Sequence, residues 1–145
     1  MKAIYLDMDG TFVDLYGVDN WLDDLKKENT RPYEVARPLV RLSDLARAIH
    51  KVQANGYKVG IISWTSKNGS KTYNQKVAQV KRKYVESHLP SVHFDEIHIL
   101  KYGTPKQSVA PVGSILFDDE VNNRENWNGV AFTEKNLIEK IYSLI

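Results

Sequence analysis

Ala3-Ile4-Tyr5-Leu6 runs directly into Asp7-Met8-Asp9-Gly10-Thr11, so a short apolar strand ends on two carboxylates. Alternate residues of an extended segment share a face, which starts Asp7 and Asp9 off in the same direction. Two aligned carboxylates repel unless a cation or a shared proton lies between them. Gly10 lets the backbone turn away, and Thr11 places a hydroxyl beside the charges. Carboxylates so placed suit a hard, oxygen-loving cation such as Mg²⁺. They also suit a division of labour, one attacking as nucleophile while the other moves a proton.

The rest of the chain alternates helical and extended patterns. A short amphipathic helix is expected over 18–28 through Trp21, Leu22 and Leu25, then a loop over 29–38 with Arg31-Pro32 and Arg37-Pro38. Leu39, Leu42, Leu45, Ala46, Ile49 and Val52 recur at helical spacing, and Gly56 stops that helix. Strands are expected over 57–62, 96–100, 114–117 and 130–132. A long helix over 72–88 turns Tyr73, Val77, Val80 and Tyr84 inward, and a helix over 134–144 closes the chain. Repeats, low-complexity tracts and linkers are absent from the sequence. This alternation predicts one α/β domain spanning residues 1–145, a parallel sheet between helical layers.

Such sheets bind ligands at the carboxyl ends of their strands. Every polar signal in the sequence falls at such an end: Asp7, then Ser63-Trp64-Thr65-Ser66, then Lys106 after the third strand, then Asp118-Asp119 after Ile115-Leu116-Phe117. Their convergence weighs more than any one of them.

Composition fits an ordinary globular enzyme. The chain has 145 residues, 42% hydrophobic and 26% charged, enough for a real core. A formal charge of +2 gives no reason to expect nucleic acid as a general partner, so nucleic acid enters as substrate alone. Cysteine is absent, which excludes disulfides, thiolate catalysis and cysteine-ligated zinc. With no apolar leader and no segment long enough to span a bilayer, the expected setting is cytoplasmic and away from membranes. Oligomeric state is left open.

The string from Asp7 to Thr11 resembles the first motif of the haloacid dehalogenase-like (HAD) phosphatases, Asp-x-Asp-Gly-Thr at the end of strand one. Ser63 resembles the second motif, with Thr65 as an alternative. Lys106 resembles the third, and Lys101 competes with it. Asp118-Asp119 resembles the fourth in its double-aspartate form. Many relatives carry a further acid four or five residues on, where this chain has Asn122 and Asn123, similar to the Asp-Asp-x-x-x-Asn arrangement of nucleotidase-like members.

This resemblance implies a three-layer Rossmann-like sheet ordered 5-4-1-2-3, with strand one central. It implies Mg²⁺ held by Asp7, Asp118 and the Asp9 carbonyl, with help from Asp119, Asn122 or Asn123. It implies that Asp7 forms an aspartyl-phosphate, that Asp9 is acid and then base, and that Ser63 and Lys106 stabilise the phosphoryl oxygens. Gly10 and Thr11 lie beside the phosphate in this reading. Trp64, Thr65, Arg31 and Arg37 are the remaining candidates for contact with substrate.

Little chain is left over for a cap, since the helices from Leu39 and over 72–88 belong to the core layers. A minimal cap predicts an open site, suited to a phosphorylated substrate that is a nucleotide, a nucleic-acid end or another large end. The alternative is a catalytically weak module that keeps the fold for binding phosphate or a partner, against which the intact Asp7, Asp9, Lys106 and Asp118 argue. Lys71, Lys76 and Lys81-Arg82-Lys83 read as a solvated helix face.

Overall fold

The computed structural model describes residues 2–145. In chain order its elements are β1 (Ala3–Leu6), β2 (Val13–Asp14), α1 (Trp21–Lys26), α2 (Arg31–Val35), β3 (Arg37–Pro38), α3 (Leu42–Ala54) and β4 (Lys58–Trp64). There follow α4 (Lys71–His88), β5 (Glu96–Leu100), β6 (Ile115–Phe117), α5 (Val121–Glu125), β7 (Ala131–Phe132) and α6 (Leu137–Tyr142). Single 3₁₀ turns lie at Leu15–Gly17 and Lys106–Val109.

All residues of β1 are buried, as a strand flanked on both edges and covered on both faces must be. It pairs in parallel with β4, Leu6 opposite Ile61, and with β6, Leu6 opposite Phe117. The period-two rule divides its side chains cleanly. Ile4 and Leu6 join the larger core with Leu45, Ile49 and Val52 of α3, Tyr84 and Val85 of α4, and Leu137 and Ile141 of α6. Ala3 and Tyr5 face the other way, with Ile62, Leu116 and Trp127.

The sheet order is β5-β4-β1-β6-β7, all parallel, with β1 central. This corrects the 5-4-1-2-3 numbering, which allowed for five strands only. Two further short strands, β2 and β3, form a separate antiparallel pair with Val13 opposite Pro38. The layers are also unequal. α3, α4 and α6 cover one face, whereas Trp127 and the turn Lys106–Val109 with its flank cover the other. The segments between β5 and β7 are too short for a long covering helix.

The largest departure lies between β1 and α3. The expected loop over 29–38 contains α2 and β3, because Pro32 fits the first turn of a helix, where its missing N–H costs nothing. Leu39, expected on the buried face of the next helix, is exposed and precedes α3, its N–H bonded to the Phe12 carbonyl. α2 packs onto α4 and α1 onto α2, around a cluster of Leu15, Tyr33, Tyr73 and Val77 with Trp21 and Leu25 of α1 against it. Glu28 accepts from the Ser70 N–H (2.7 Å) and hydroxyl (2.9 Å) at the start of α4, and Tyr73 donates to the Asn29 carbonyl (2.9 Å). A short insertion is thus tied down as a lid.

Leu6 is fully buried at the last position of β1. Leu6→Ala should cost about 2–5 kcal/mol, the range for deleting a large core side chain, measured by urea unfolding.

Candidate active site

β1 delivers Asp7 to the carboxyl edge of the sheet, its N–H bonded to the Phe117 carbonyl at 2.9 Å. β6 delivers Asp118 beside it, its N–H bonded to the Phe132 carbonyl at 3.0 Å. Parallel pairing of β1 with β6 therefore forces two carboxylates together, because both strands end at the same level. Lys106 answers this crowding. Its Nζ donates to Asp7 Oδ1 and to Asp118 Oδ2, both at 2.8 Å, and the side chain is 2% exposed. Burial works to lower the Lys106 pKa, but the charges of Asp7 and Asp118 outweigh it and hold the ammonium protonated. Lys101, the competing lysine, is exposed.

Asp119 brings a third carboxylate. One oxygen from each of Asp7, Asp118 and Asp119 lies within 4.8 Å of the others. Thr11 donates toward Asp7 Oδ2 (3.2 Å) and lies 3.4 Å from Asp119 Oδ1. Gly10 adopts φ +84°, and a Cβ there would sit 2.2 Å from Asp119 Oδ2, so only glycine lets the turn pass under that carboxylate. Asn123 on α5 donates Nδ2 to Asp118 Oδ2 at 3.1 Å, and the Glu120 N–H donates to Asp118 Oδ1 at 2.9 Å. Asn123 thereby orients a carboxylate, while Asn122 is exposed.

One lysine does not balance three carboxylates. Burial first, and then the charge of Asp7, pushes Asp118 up to about 6. Burial, the contact with Asp7 and the charges of Asp7 and Asp118 push Asp119 up to about 8. Asp119 has no cationic partner among the described residues. A cluster of hard oxygens, under-compensated and buried, fits a small divalent cation such as Mg²⁺.

Asp9 turns away from this cluster. Its Oδ2 accepts from Lys81 Nζ at 2.6 Å, and the same ammonium donates to Ser63 Oγ (2.8 Å) and to the Trp64 carbonyl (2.6 Å). Burial raises the Asp9 pKa, with the Lys81 charge opposing that rise. Lys81 is 1% exposed and lies 5.1 Å from the centre of the Tyr33 ring. The expectation of a solvated face is therefore corrected at Lys81. It occupies the inward row of α4 with Tyr73, Val77 and Tyr84. The available signal was its position four residues after Val77, on the apolar stripe itself.

Ser63 and Thr65 both line the site, so both candidates for the second motif are present. The Ser63 oxygen accepts from Lys81, which leaves its own proton to donate elsewhere. Thr65 Oγ1 is buried with no hydrogen-bond partner among the described residues, so it is also available. Trp64 donates Nε1 to the Thr104 carbonyl (2.9 Å), lies against Tyr102 with ring centres 4.9 Å apart, and carries Lys106 over its ring at 5.3 Å.

These groups open into a cavity of about 430 Å³, walled by Tyr16, Trp21, Tyr33, Trp64 and Tyr102 and floored by Asp7, Asp9 and Lys106. The short lid supplies Tyr16, Trp21 and Tyr33, so the expected open site is a walled one. Arg31 and Arg37 do not line it. Arg31 is spent inside the lid, donating to Asp24 Oδ2 (2.6 Å) and the Asp19 carbonyl (2.8 Å), and Arg37 is exposed on β3.

No family model and no curated protein matches the sequence. Solved structures do. A D,D-heptose 1,7-bisphosphate phosphatase from Burkholderia thailandensis superposes with a TM-score of 0.59 at 11% identity, over 99% of this chain and 98% of that one. The D,D-heptose 1,7-bisphosphate phosphatase from B. bronchiseptica, complexed with magnesium and phosphate, gives 0.54 at 12% identity over 100% of both chains. Both are HAD-superfamily phosphatases. The chain has their fold. Likeness extends across the whole chain, lid included. Among the described residues no helix is long and apolar enough to cross a membrane.

A carboxyl raised from 3.8 to about 8 keeps its proton in the folded chain at pH values where the unfolded chain has lost it. Asp119 therefore destabilises the metal-free fold increasingly as pH rises from about 4 to 8. In EDTA, Asp119→Asn should raise the melting temperature at pH 8, by less at pH 5, and not at pH 3.5. With millimolar Mg²⁺ at pH 8 that advantage should shrink or reverse, because the variant loses a ligand.

Proposed function

We propose that this protein is a Mg²⁺-dependent phosphomonoester hydrolase working through an aspartyl-phosphate, with a nucleotide or a nucleic-acid or other large phosphorylated end as substrate. The observation that carries the reading is the meeting of Asp7, Asp118 and Asp119, with Lys106 bonded to the first two, at the floor of a walled cavity. Magnesium and phosphate are present in the B. bronchiseptica structure, which supports the same pair of ligands here.

Asp7, Asp118 and Asp119 would hold the cation with the Asp9 carbonyl, Asn123 keeping Asp118 in place. When bound, Mg²⁺ would neutralise charge on the phosphoryl oxygens and on the crowded carboxylates. An Asp7 oxygen attacks phosphorus in line, and the bond to the leaving oxygen breaks as Asp9 protonates that oxygen. Asp9, now a carboxylate, takes a proton from water. The water oxygen attacks phosphorus, the bond to Asp7 breaks, and inorganic phosphate leaves. Lys106, the Ser63 hydroxyl and the Thr65 hydroxyl stabilise the equatorial oxygens, which need donors rather than bases.

The cavity bears on the leaving group. Aromatic rings and three leucines, Leu15, Leu22 and Leu25, form one part of its wall, polar groups including Glu28, Ser66, Asn68 and Glu120 form the rest, and Lys26 and Lys67 are the lining cations besides Lys106. A polynucleotide would need a longer basic track than these lysines provide. Within the proposed range these features favour a single nucleotide, its base against the aromatic walls. Soluble, cytoplasmic action fits this substrate class.

Turnover of p-nitrophenyl phosphate and of nucleoside monophosphates should require Mg²⁺ and vanish in excess EDTA. Asp7→Asn should lower kcat by roughly 10³-fold or more while the chain stays folded, since the change is nearly isosteric and relieves repulsion. Wild-type rates in Asp7→Asn would overturn the nucleophile. A phosphate-release screen that found large phosphorylated ends preferred over mononucleotides would overturn the role given to the aromatic walls.

A further inference from the structure

Lys81 is the buried charged group that the proposed chemistry leaves unused. An ammonium has three protons to donate, and each of these has a short partner: Asp9 Oδ2 at 2.6 Å, Ser63 Oγ at 2.8 Å and the Trp64 carbonyl at 2.6 Å. Two of these partners belong to the end of β4, which is fixed in the sheet, and the third is the side chain beyond β1. The lysine itself is held in the inward row of α4, beside the Tyr33 ring of the lid. Asp9, by contrast, has rotatable bonds of its own and no other side-chain hydrogen bond among the described residues.

We infer that Lys81 is a positioning residue for Asp9: it ties one carboxylate oxygen to the rigid end of β4, so that the other is aimed at the reacting oxygens. A bare counter-charge would not need to be placed this way. Neutralising Asp9 takes one contact, whereas fixing a direction takes a frame, and Ser63 with Trp64 supplies one. The inference rests on the phosphatase reading, because it gives Asp9 a proton to move. A general acid displaced by about an ångström loses on the order of a hundredfold in rate.

The test is a double-mutant cycle with p-nitrophenyl phosphate and phenyl phosphate, two esters of similar size whose leaving groups differ in their need for a proton. For phenyl phosphate, Lys81→Met should lower kcat/KM about a hundredfold in the wild-type background and less than threefold in Asp9→Asn, where no acid remains to be aimed. For p-nitrophenyl phosphate the loss in the wild-type background should stay under tenfold, since nitrophenolate leaves without a proton. Lys81→Arg keeps the charge but presents a planar fork that does not match three converging acceptors, so it should lose at least tenfold on phenyl phosphate. It carries the comparison if Lys81→Met does not fold. Independently of turnover, ¹⁵N NMR of the metal-free chain should show a Lys81 ammonium protected from exchange, with protection lost in Asp9→Asn and kept in Asp7→Asn.

Equal losses in both backgrounds, equal losses on both esters, or full activity in Lys81→Arg would each overturn the positioning role while leaving the phosphatase reading intact. A wild-type chain inactive on every phosphomonoester with Mg²⁺ would remove that reading and this inference with it. The NMR protection would then remain as a fact about the fold alone.

Discussion

The contact between Lys106 and two aspartates from different strands organises the site. Parallel neighbours ending at one level bring Asp7 and Asp118 together, and their repulsion would splay the strand ends if nothing lay between them. A buried ammonium 2.8 Å from each resolves this locally. It does so incompletely, since Asp119 adds a third carboxyl group that Lys106 does not touch. The remaining imbalance is a binding site in waiting: the fold tolerates carboxylates that a divalent cation would complete. Such strain at a functional centre is carried by the rest of the structure, here by a β1 buried throughout and paired on both edges.

A second ammonium divides the labour of the first motif. Asp7 belongs to Lys106 and the carboxylate cluster, Asp9 to Lys81 and the end of β4. Two aspartates two residues apart thus occupy different electrostatic settings, although an extended strand starts them in the same direction. The turn at Gly10 makes this separation possible, together with the lysine that α4 drives inward. Separate partners for the two carboxylates suit a reaction in which one attacks and the other moves a proton.

The lid turns an exposed strand edge into a cavity. Fewer than thirty residues separate β2 from β3, roughly the least that can hold two short helices and the connections between them. Its stability comes from α4, through a small apolar cluster and the Glu28 contacts with Ser70, more than from its own helices. Isolated helices this short do not persist in water. The lid and the floor of the cavity are therefore joined by the same helix: α4 packs the lid with Tyr73 and Val77 and reaches the candidate site with Lys81.

By itself the sequence determined the alternation of strands and helices, the parallel sheet, and the placing of Asp7, Ser63 and Asp118 at strand ends. Those features are local: apolar runs, helical spacing and polar residues directly after a run are written in neighbouring positions. Tertiary structure decided what depends on distant segments meeting. It chose Lys106 over Lys101, because only one of them reaches back between β1 and β6. It took Arg31 out of the cavity by pairing it with Asp24, and it folded the Arg-Pro segment into a lid whose helices draw their stability from α4. It also made Lys81 a site residue, since charge alone marks a lysine for solvent and only the acceptors converging from β1 and β4 offset the cost of burying it.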